Sequence, residues 1–145
     1  MTTVAQFTPS QLRFLAAHRV AHLATAGPDG RPHVVPICYA FHSRRLFSPI
    51  DEKPKRVGAA RLQRLRNIRA NPQVTVVVDE YSDDWSRLGY LLVRGRAEIV
   101  DEGRRQPAAL RRLRERYPQY RAMALEERPL LVITPERVVS WGRVE

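Results

Sequence analysis

The sequence predicts a mainly β protein, an antiparallel barrel flanked by three helices. Segments rich in β-branched residues mostly follow one another directly, which favours antiparallel pairing over a doubly wound sheet. One pair of these segments is joined by Gly-Pro-Asp-Gly, a typical hairpin turn. At 145 residues the chain can bury one core but not two, so residues 1–145 are expected to form a single domain.

The first element is a short helix, from the Thr-Pro-Ser-Gln start at Thr8 to about His18, with Phe7, Leu12 and Leu15 as its expected buried side. The hairpin follows, with strands over residues 20–26 and 31–41. Its second strand contains Pro32 and Pro36, which have no backbone N–H to donate. Such a strand is an edge, a bulge, or a surface where something other than a strand docks.

The rest of the chain alternates between strands and helices. The spacing of Leu62, Leu65 and Ile68 predicts a helix over residues 59–70. The run from Val74 to Val78 predicts a strand that is buried on both faces. The remaining elements are a strand over 46–50, a polar loop over 79–87, a strand over 88–100 bent at Gly95, a helix over 107–117 that buries Leu110, Leu113 and Tyr117, and strands over 130–134 and 138–141.

Composition restricts the function classes. The formal net charge is +10, and all but two of the 25 basic side chains are arginine. Such an excess attracts nucleic acid, an acidic membrane surface or a phosphorylated small molecule. No apolar run is long enough to cross a bilayer, and the first residues carry no export signal. Cys38 is the only cysteine, which excludes an intrachain disulfide, so we expect a cytoplasmic protein.

Side-chain catalysis finds little support in the sequence. The four histidines lack metal-binding spacing, and no nucleophile elbow, P-loop or Gly-rich dinucleotide motif is present. No metal site is therefore expected, and no general acid can be assigned. If the protein is an enzyme, a cofactor performs the chemistry.

The strongest local indication of a ligand is Lys53-Pro54-Lys55-Arg56, which holds the only two lysines directly before a predicted helix. Cationic side chains near a helix start suit a phosphate, although a solvated basic turn has the same composition. The arginine-rich helix at 61–69 lacks a helix-turn-helix partner, so we expect no nucleic-acid partner. Trp85 and Trp141 either stack on a planar ring or are buried.

Several motifs in this order resemble the pyridoxamine 5′-phosphate oxidase-like split barrels, and more narrowly their actinobacterial coenzyme F420-dependent branch. They are GPDGRPHVVPICYAF, IDEKPK, LRNIRANP, VTVVVD, DDW and VRGRAEIV, from about Val20 to Trp141. The resemblance implies a six-stranded antiparallel split β-barrel that forms a homodimer and binds its cofactor between the subunits.

The resemblance also implies the cofactor-binding residues. The ring is expected along Pro36, Ile37, Cys38 and Tyr39. The phosphate is expected at Ile50, Asp51, Lys53, Lys55 and Arg56, and the cofactor is flanked by Trp85 and Ser86. Arg56, Arg61 or Arg64 are expected on the rim, where they would steer an anionic tail.

The expected activity is F420-dependent transfer of hydride between the deazaflavin and a small conjugated organic substrate. F420 carries a phosphodiester and a polyglutamate tail, which suits an arginine-dense groove. An FMN-binding oxidoreductase of the same fold is the first alternative. A non-catalytic carrier of F420 or flavin is the second, and a nucleic-acid-binding module, which would bind DNA with steep salt dependence, is the third.

Overall fold

The structure is a computed structural model that describes residues 3–51 and 62–144. Seven strands and three α-helices make up the described part, as the sequence predicts for a mainly β fold. The strands are β1 (Ala21–Ala26), β2 (Pro32–Ile37), β3 (Ala40–His42), β4 (Arg45–Pro49), β5 (Gln73–Glu80), β6 (Gly89–Val100) and β7 (Leu130–Gly142). The helices are α1 (Pro9–Ala17), α2 (Gln63–Ala70) and α3 (Pro107–Arg116).

All strand pairs are antiparallel and join into one curled sheet with the order β2-β1-β5-β6-β7-β4-β3. β2 therefore lies at one edge of the sheet, which is the first of the three alternatives that Pro32 and Pro36 leave open. The hairpin turn is also confirmed. The Gly30 N–H donates to the Gly27 carbonyl over 3.0 Å, and Gly30 has a positive φ of 76°.

The predicted second strand at 31–41 is two strands, β2 and β3, because Cys38 and Tyr39 leave the ladder between them. The Tyr39 N–H donates to the Tyr117 hydroxyl over 3.0 Å, and that hydroxyl also lies 3.0 Å from the Tyr39 carbonyl. A side chain 78 positions away thus replaces the missing strand partner. The seven strands in this sheet are one more than the six implied by the resemblance.

The two strands predicted at 130–134 and 138–141 are a single strand, β7. Its pairing with β6 shifts by one residue, since Arg94 faces Arg137 whereas Gly95 faces Pro135. Glu136 is the extra residue of this β-bulge. The bulge accommodates Pro135 within the strand, and it also accounts for the predicted bend at Gly95.

The core has two parts. The interior of the curled sheet is filled by aliphatic side chains such as Leu23, Val76 and Val93, all with 0 % exposure. On the opposite side of β4 and the start of β7, α3 packs Leu110 and Leu113 against the sheet. The predicted buried side of this helix is therefore confirmed, including Tyr117 at 6 % exposure.

Three further expectations need correction. Leu12 is 38 % exposed, and Phe14 takes its place beside Leu15 in the core, because α1 lies on the sheet with a different face. β5 is fully buried on one face only, since its residues alternate between buried and half-buried. α2 begins at Gln63, and the predicted helical positions 59–61 lie outside the described residues.

Candidate cofactor cleft

A cleft of about 220 Å³ lies where the end of β2 approaches the end of β4. These strands are not neighbours in the sheet, so the cleft marks the split in the barrel wall. We call it the cofactor cleft. Its lining residues are Val20, Pro36, Ile37, Cys38, Ser48, Pro49, Asp51 and Arg64.

The walls of the cofactor cleft are largely apolar. Pro36 and Pro49 lie on opposite sides, and neither has a backbone N–H. Val20 is 49 % exposed beside them. Such a surface suits the face of a flat aromatic ring, since it exposes few polar groups that need a partner. The structure places Pro36, Ile37 and Cys38 of the predicted ring site in this lining.

Asp51 supplies a carboxyl group to the cofactor cleft, and hydrogen bonds from Tyr120 and Arg128 hold this residue in place. The Tyr120 hydroxyl donates to Asp51 Oδ2 over 2.6 Å, and Arg128 Nη1 donates to the Asp51 carbonyl over 3.1 Å. Burial is the main cause that raises the pKa of Tyr120 far above its usual range, and Asp51 and then Cys38 raise it further. Tyr120 therefore stays a donor. Asp51 keeps acceptor capacity for a ligand hydroxyl or N–H.

Arg64 supplies the cationic group of the cofactor cleft. It lies on α2 and is 7 % exposed, although the sequence places it on a solvent-facing rim. The correction arises because α2 packs across the sheet through Leu65 and Ile68. This packing turns the neighbouring Arg64 toward β2 and β4. A buried guanidinium is a strong anion-binding group, since it is always charged and donates in a planar fork.

The Tyr39 side chain does not line the cofactor cleft, contrary to the prediction that it contacts the ring. It is 1 % exposed, and its hydroxyl donates toward the carbonyls of Leu15, at 2.7 Å, and His18, at 2.5 Å. Arg116 lies over its ring at 4.9 Å. Burial raises the pKa of Tyr39 well above its usual range, so the hydroxyl remains protonated.

Ile50 is also placed in the core. It is 3 % exposed, and its N–H donates to the Pro129 carbonyl over 3.0 Å. Neither its side chain nor its N–H is therefore directed to a phosphate. The other predicted phosphate-binding residues, Lys53, Lys55 and Arg56, lie outside the described residues, as does Arg61.

Trp85 and Ser86 lie on a short 3₁₀ helix after β5 and do not line the cofactor cleft. Trp85 is 74 % exposed, and Trp141 is 52 % exposed, so neither tryptophan is buried. The Ser86 hydroxyl donates to Asp84 Oδ1 over 2.7 Å. This contact and the Ser86 N–H lower the pKa of Asp84, and they fix the turn that presents Trp85 to solvent.

The Tyr117 hydroxyl determines how the chain passes from β2 to β3 beside the cofactor cleft. We expect Tyr117→Phe to lower the free energy of unfolding by about 1–3 kcal/mol, because the buried Tyr39 peptide loses its partner. Urea denaturation measures this. Tyr81→Phe removes a hydroxyl that bonds Asp83 on the surface, and it should change stability by less than about 0.5 kcal/mol. Equal effects would contradict the role of Tyr117.

Within the described ranges, no three His, Cys, Asp or Glu side chains are grouped to hold a metal ion. The described helices are also all too short or too polar to span a bilayer. Five residues in or beside the cofactor cleft are not assigned to the ring or phosphate site from the sequence: Val20, Ser48, Pro49, Arg64 and Tyr120. They are drawn from four separate segments, so only the folded arrangement brings them together.

Comparison with known proteins gives matches along nearly the whole chain. The model of the family described as pyridoxamine 5′-phosphate oxidase matches residues 7–142. A 5a,11a-dehydrotetracycline/5a,11a-dehydrooxytetracycline reductase of Streptomyces rimosus is 28 % identical over 137 residues, which cover 94 % of this chain and 83 % of the relative.

Two crystal structures are similar in both sequence and fold. A conserved hypothetical protein of Mycobacterium tuberculosis, Rv2991, is 26 % identical with a TM-score of 0.75, over 96 % of this chain and 86 % of its own. A FAD-binding protein of Mesorhizobium loti is 26 % identical with a TM-score of 0.66, over 94 % and 96 % of the two chains.

Proposed function

The chain belongs to the pyridoxamine 5′-phosphate oxidase family, and from this premise we propose that it is a cytoplasmic, homodimeric oxidoreductase that uses coenzyme F420. A reductase relative and a flavin-binding neighbour support a flavin- or deazaflavin-type oxidoreductase. The observation that carries the proposal is the cofactor cleft, in which apolar and proline walls adjoin one carboxylate and one buried guanidinium.

The residues of the cofactor cleft fit the parts of such a cofactor. The apolar surface of Pro36, Ile37 and Pro49 would cover a flat ring. Asp51 would accept from a hydroxyl or N–H of the cofactor, since Tyr120 already holds one of its oxygens. Arg64 would bind the phosphodiester, together with Lys53 and Lys55 of the adjoining segment.

The charge of the chain favours F420 over FMN in this proposal. F420 carries several carboxylates besides its phosphodiester, whereas FMN carries one phosphate. A net charge of +10 attracts the more anionic cofactor more strongly. The motifs that resemble the F420-dependent branch point to the same cofactor. FMN remains the second candidate, because a structurally similar relative is a FAD-binding protein.

The proposed homodimer is supported by an apolar patch on the outer face of the sheet. Strand pairing places Leu92 opposite Val139 and Tyr90 opposite Trp141, on the face that also contains Val34. Val34, Val139 and Trp141 are 58 %, 38 % and 52 % exposed. Exposed apolar side chains that share one face of a sheet suit an association surface. Since Trp85 does not line its own cofactor cleft, Trp85 and Ser86 would reach the cofactor of the second copy.

The dimer gives a direct prediction. Val139→Arg should convert the protein to a monomer in sedimentation velocity, because it places a charge in the apolar patch. Leu12→Arg is a matched control, since Leu12 has the same 38 % exposure but lies on α1. It should leave the dimer intact. A monomeric wild-type protein, or a Val139→Arg dimer of unchanged strength, would contradict the proposed surface.

The two lysines give a second prediction. Lys55→Glu and Lys53→Glu should each weaken F420 binding by about 1–3 kcal/mol, the usual cost of losing a charged hydrogen bond. Isothermal titration calorimetry of each variant measures this, and Arg105→Glu, far from the segment in sequence, controls for the loss of net charge. If both lysine variants bind with wild-type affinity, the proposed phosphate site is wrong.

The proposed substrate is a small conjugated organic molecule such as an enone. When bound, F420 in its reduced form would supply the hydride for the electrophilic carbon of the substrate, and water would supply the balancing proton. The apolar walls of Pro36, Ile37 and Pro49 would exclude bulk water from one face of the ring, and the substrate would be oriented at the open face of the cleft. The Streptomyces rimosus relative acts on dehydrotetracyclines, which supports a substrate of this class.

The experiment that tests the function is a cofactor titration followed by turnover. The purified protein is titrated with F420 and with FMN, and reduced F420 is then mixed with a panel of enones and quinones. We expect F420 to bind at least tenfold tighter than FMN, and its oxidation to depend on enzyme and acceptor. FMN binding tenfold tighter would favour the FMN enzyme. Binding of F420 without turnover would favour a carrier.

A further inference from the structure

A second cavity, larger than the cofactor cleft, lies along α3. It has a volume of about 450 Å³, within the usual range for small-molecule pockets. Four arginines line it, Arg104, Arg111, Arg114 and Arg121, and Leu110 and Pro107 contribute apolar surface. We call it the arginine groove. It shares no lining residue with the cofactor cleft.

Arg114 is held rigidly in the arginine groove. It forms a bidentate pair with Glu126, at 2.5 and 2.8 Å, and donates to the carbonyls of Tyr120 and Met123. The pair lowers the pKa of Glu126 to about 2, so this carboxylate stays ionised and engaged with Arg114. Arg121 Nε donates to the Arg114 carbonyl over 3.2 Å. The groove is thus built on an ordered charged pair.

The short 3₁₀ helix Gly103–Arg105, at one end of the arginine groove, is also fixed in position. Gly103 is buried, and a Cβ at this position would lie 2.3 Å from the Leu125 carbonyl oxygen and 3.3 Å from Leu110. Its N–H donates to the Arg128 carbonyl over 2.8 Å. This close packing determines where the following residue, Arg104, stands.

The positive charges of the arginine groove outnumber the negative ones. Glu126 forms an ion pair with Arg114, and Arg104 forms one with Glu102, outside the groove, at 3.0 Å. Within residues 3–51 and 62–144, the Arg111 side chain makes neither a hydrogen bond nor an ion pair. Glu115 is the second carboxylate of the lining, against four guanidinium groups. The groove therefore presents positive charge above an apolar floor.

From this arrangement we infer that the arginine groove binds a small organic anion with an apolar body, such as an aromatic carboxylate or sulfonate. Exposed Pro107 and the methylene groups of the lining arginines would cover the body, and Arg111 and Arg121 would bind the charged group. Among the described residues, the lining includes no aromatic side chain on which a nucleobase could stack, which disfavours single-stranded nucleic acid. This ligand site is separate from the proposed cofactor function and does not depend on it.

Calorimetry with three probes tests the requirement for both charge and apolar body. Naphthalene-2-sulfonate should bind, whereas inorganic sulfate and the neutral naphthalene-2-methanol should bind at least about tenfold more weakly, since each lacks one of the two features. Equal binding of the sulfonate and the neutral analogue would overturn the assignment, as would no binding of the sulfonate.

Variants locate the site. The double variant Arg111→Gln/Arg121→Gln should lower the affinity for naphthalene-2-sulfonate at least about tenfold. Arg105→Gln and Arg13→Gln together remove the same charge outside the groove lining, and they should leave the affinity within twofold. Equal losses in the two double variants would overturn the site. The Arg111→Gln/Arg121→Gln variant is also titrated with F420, which tests the proposed cofactor function separately. Its affinity for F420 should equal the wild-type affinity, whatever the result with naphthalene-2-sulfonate.

Discussion

Arg64→Glu is expected to weaken F420 binding at least about 100-fold, or about 2.7 kcal/mol. The variant replaces the buried guanidinium of the cofactor cleft by a carboxylate, beside the carboxylate of Asp51. It thus removes an attractive charge and adds a repulsive one where the exposed fraction is 7 % and screening by solvent is weak. Calorimetric titration with F420 measures the change.

The control for this variant is Arg66→Glu, on the solvent-exposed side of the same helix. It changes the net charge equally and should reduce F420 affinity by less than about threefold. Because a buried charge reversal can unfold a protein, Arg64→Gln is measured beside it, with circular dichroism as the check on folding. A folded Arg64→Gln variant with wild-type affinity would show that Arg64 does not bind the cofactor.

Gly95→Ala is expected to cost about 3 kcal/mol of folding stability, because the added methyl group overpacks the sheet. The added Cβ would lie 2.3 Å from the Thr134 carbonyl oxygen and 3.1 Å from the Pro135 Cα. Both are backbone atoms of β7, which is paired along its whole length with β6, so they cannot move aside without breaking the β-bulge. Urea denaturation gives the change.

Gly30→Ala is the matched control, because no heavy atom lies within 4 Å of the added Cβ. The only expected cost of Gly30→Ala is backbone strain at the positive φ of 76°, which should lower folding stability by about 1 kcal/mol. Steric contact and backbone conformation are thus separated. If Gly95→Ala were no more destabilising than Gly30→Ala, the tight packing at the bulge would be disproved.

The elements that the sequence predicts well are those determined by local pattern. The hairpin turn at Gly27–Gly30 is confirmed because Gly, Pro and Asp each favour a turn through their own backbone or side chain. The buried stripe of α3 follows from helical spacing in the same way. These features need no knowledge of distant residues.

The corrections all involve contacts between distant parts of the chain. From the sequence, Pro135 is expected to separate two strands. The β-bulge opposite Gly95 keeps it within one strand. From the sequence, Tyr39 is expected to contact the ring. In the structure its N–H donates to the Tyr117 hydroxyl, and its own hydroxyl donates to the Leu15 carbonyl. Arg64 has the local pattern of a surface arginine, and only the packing of α2 across the sheet buries it in the cofactor cleft.

The crystal structure of the complex with F420 tests the central claim most directly. The account predicts the ring against Pro36, Ile37 and Cys38, with Arg64 within about 3 Å of a phosphodiester oxygen. It also predicts Trp85 of the second copy at the edge of the ring. F420 bound elsewhere on the molecule, or an Arg64 side chain that makes no contact with the phosphodiester, would contradict it.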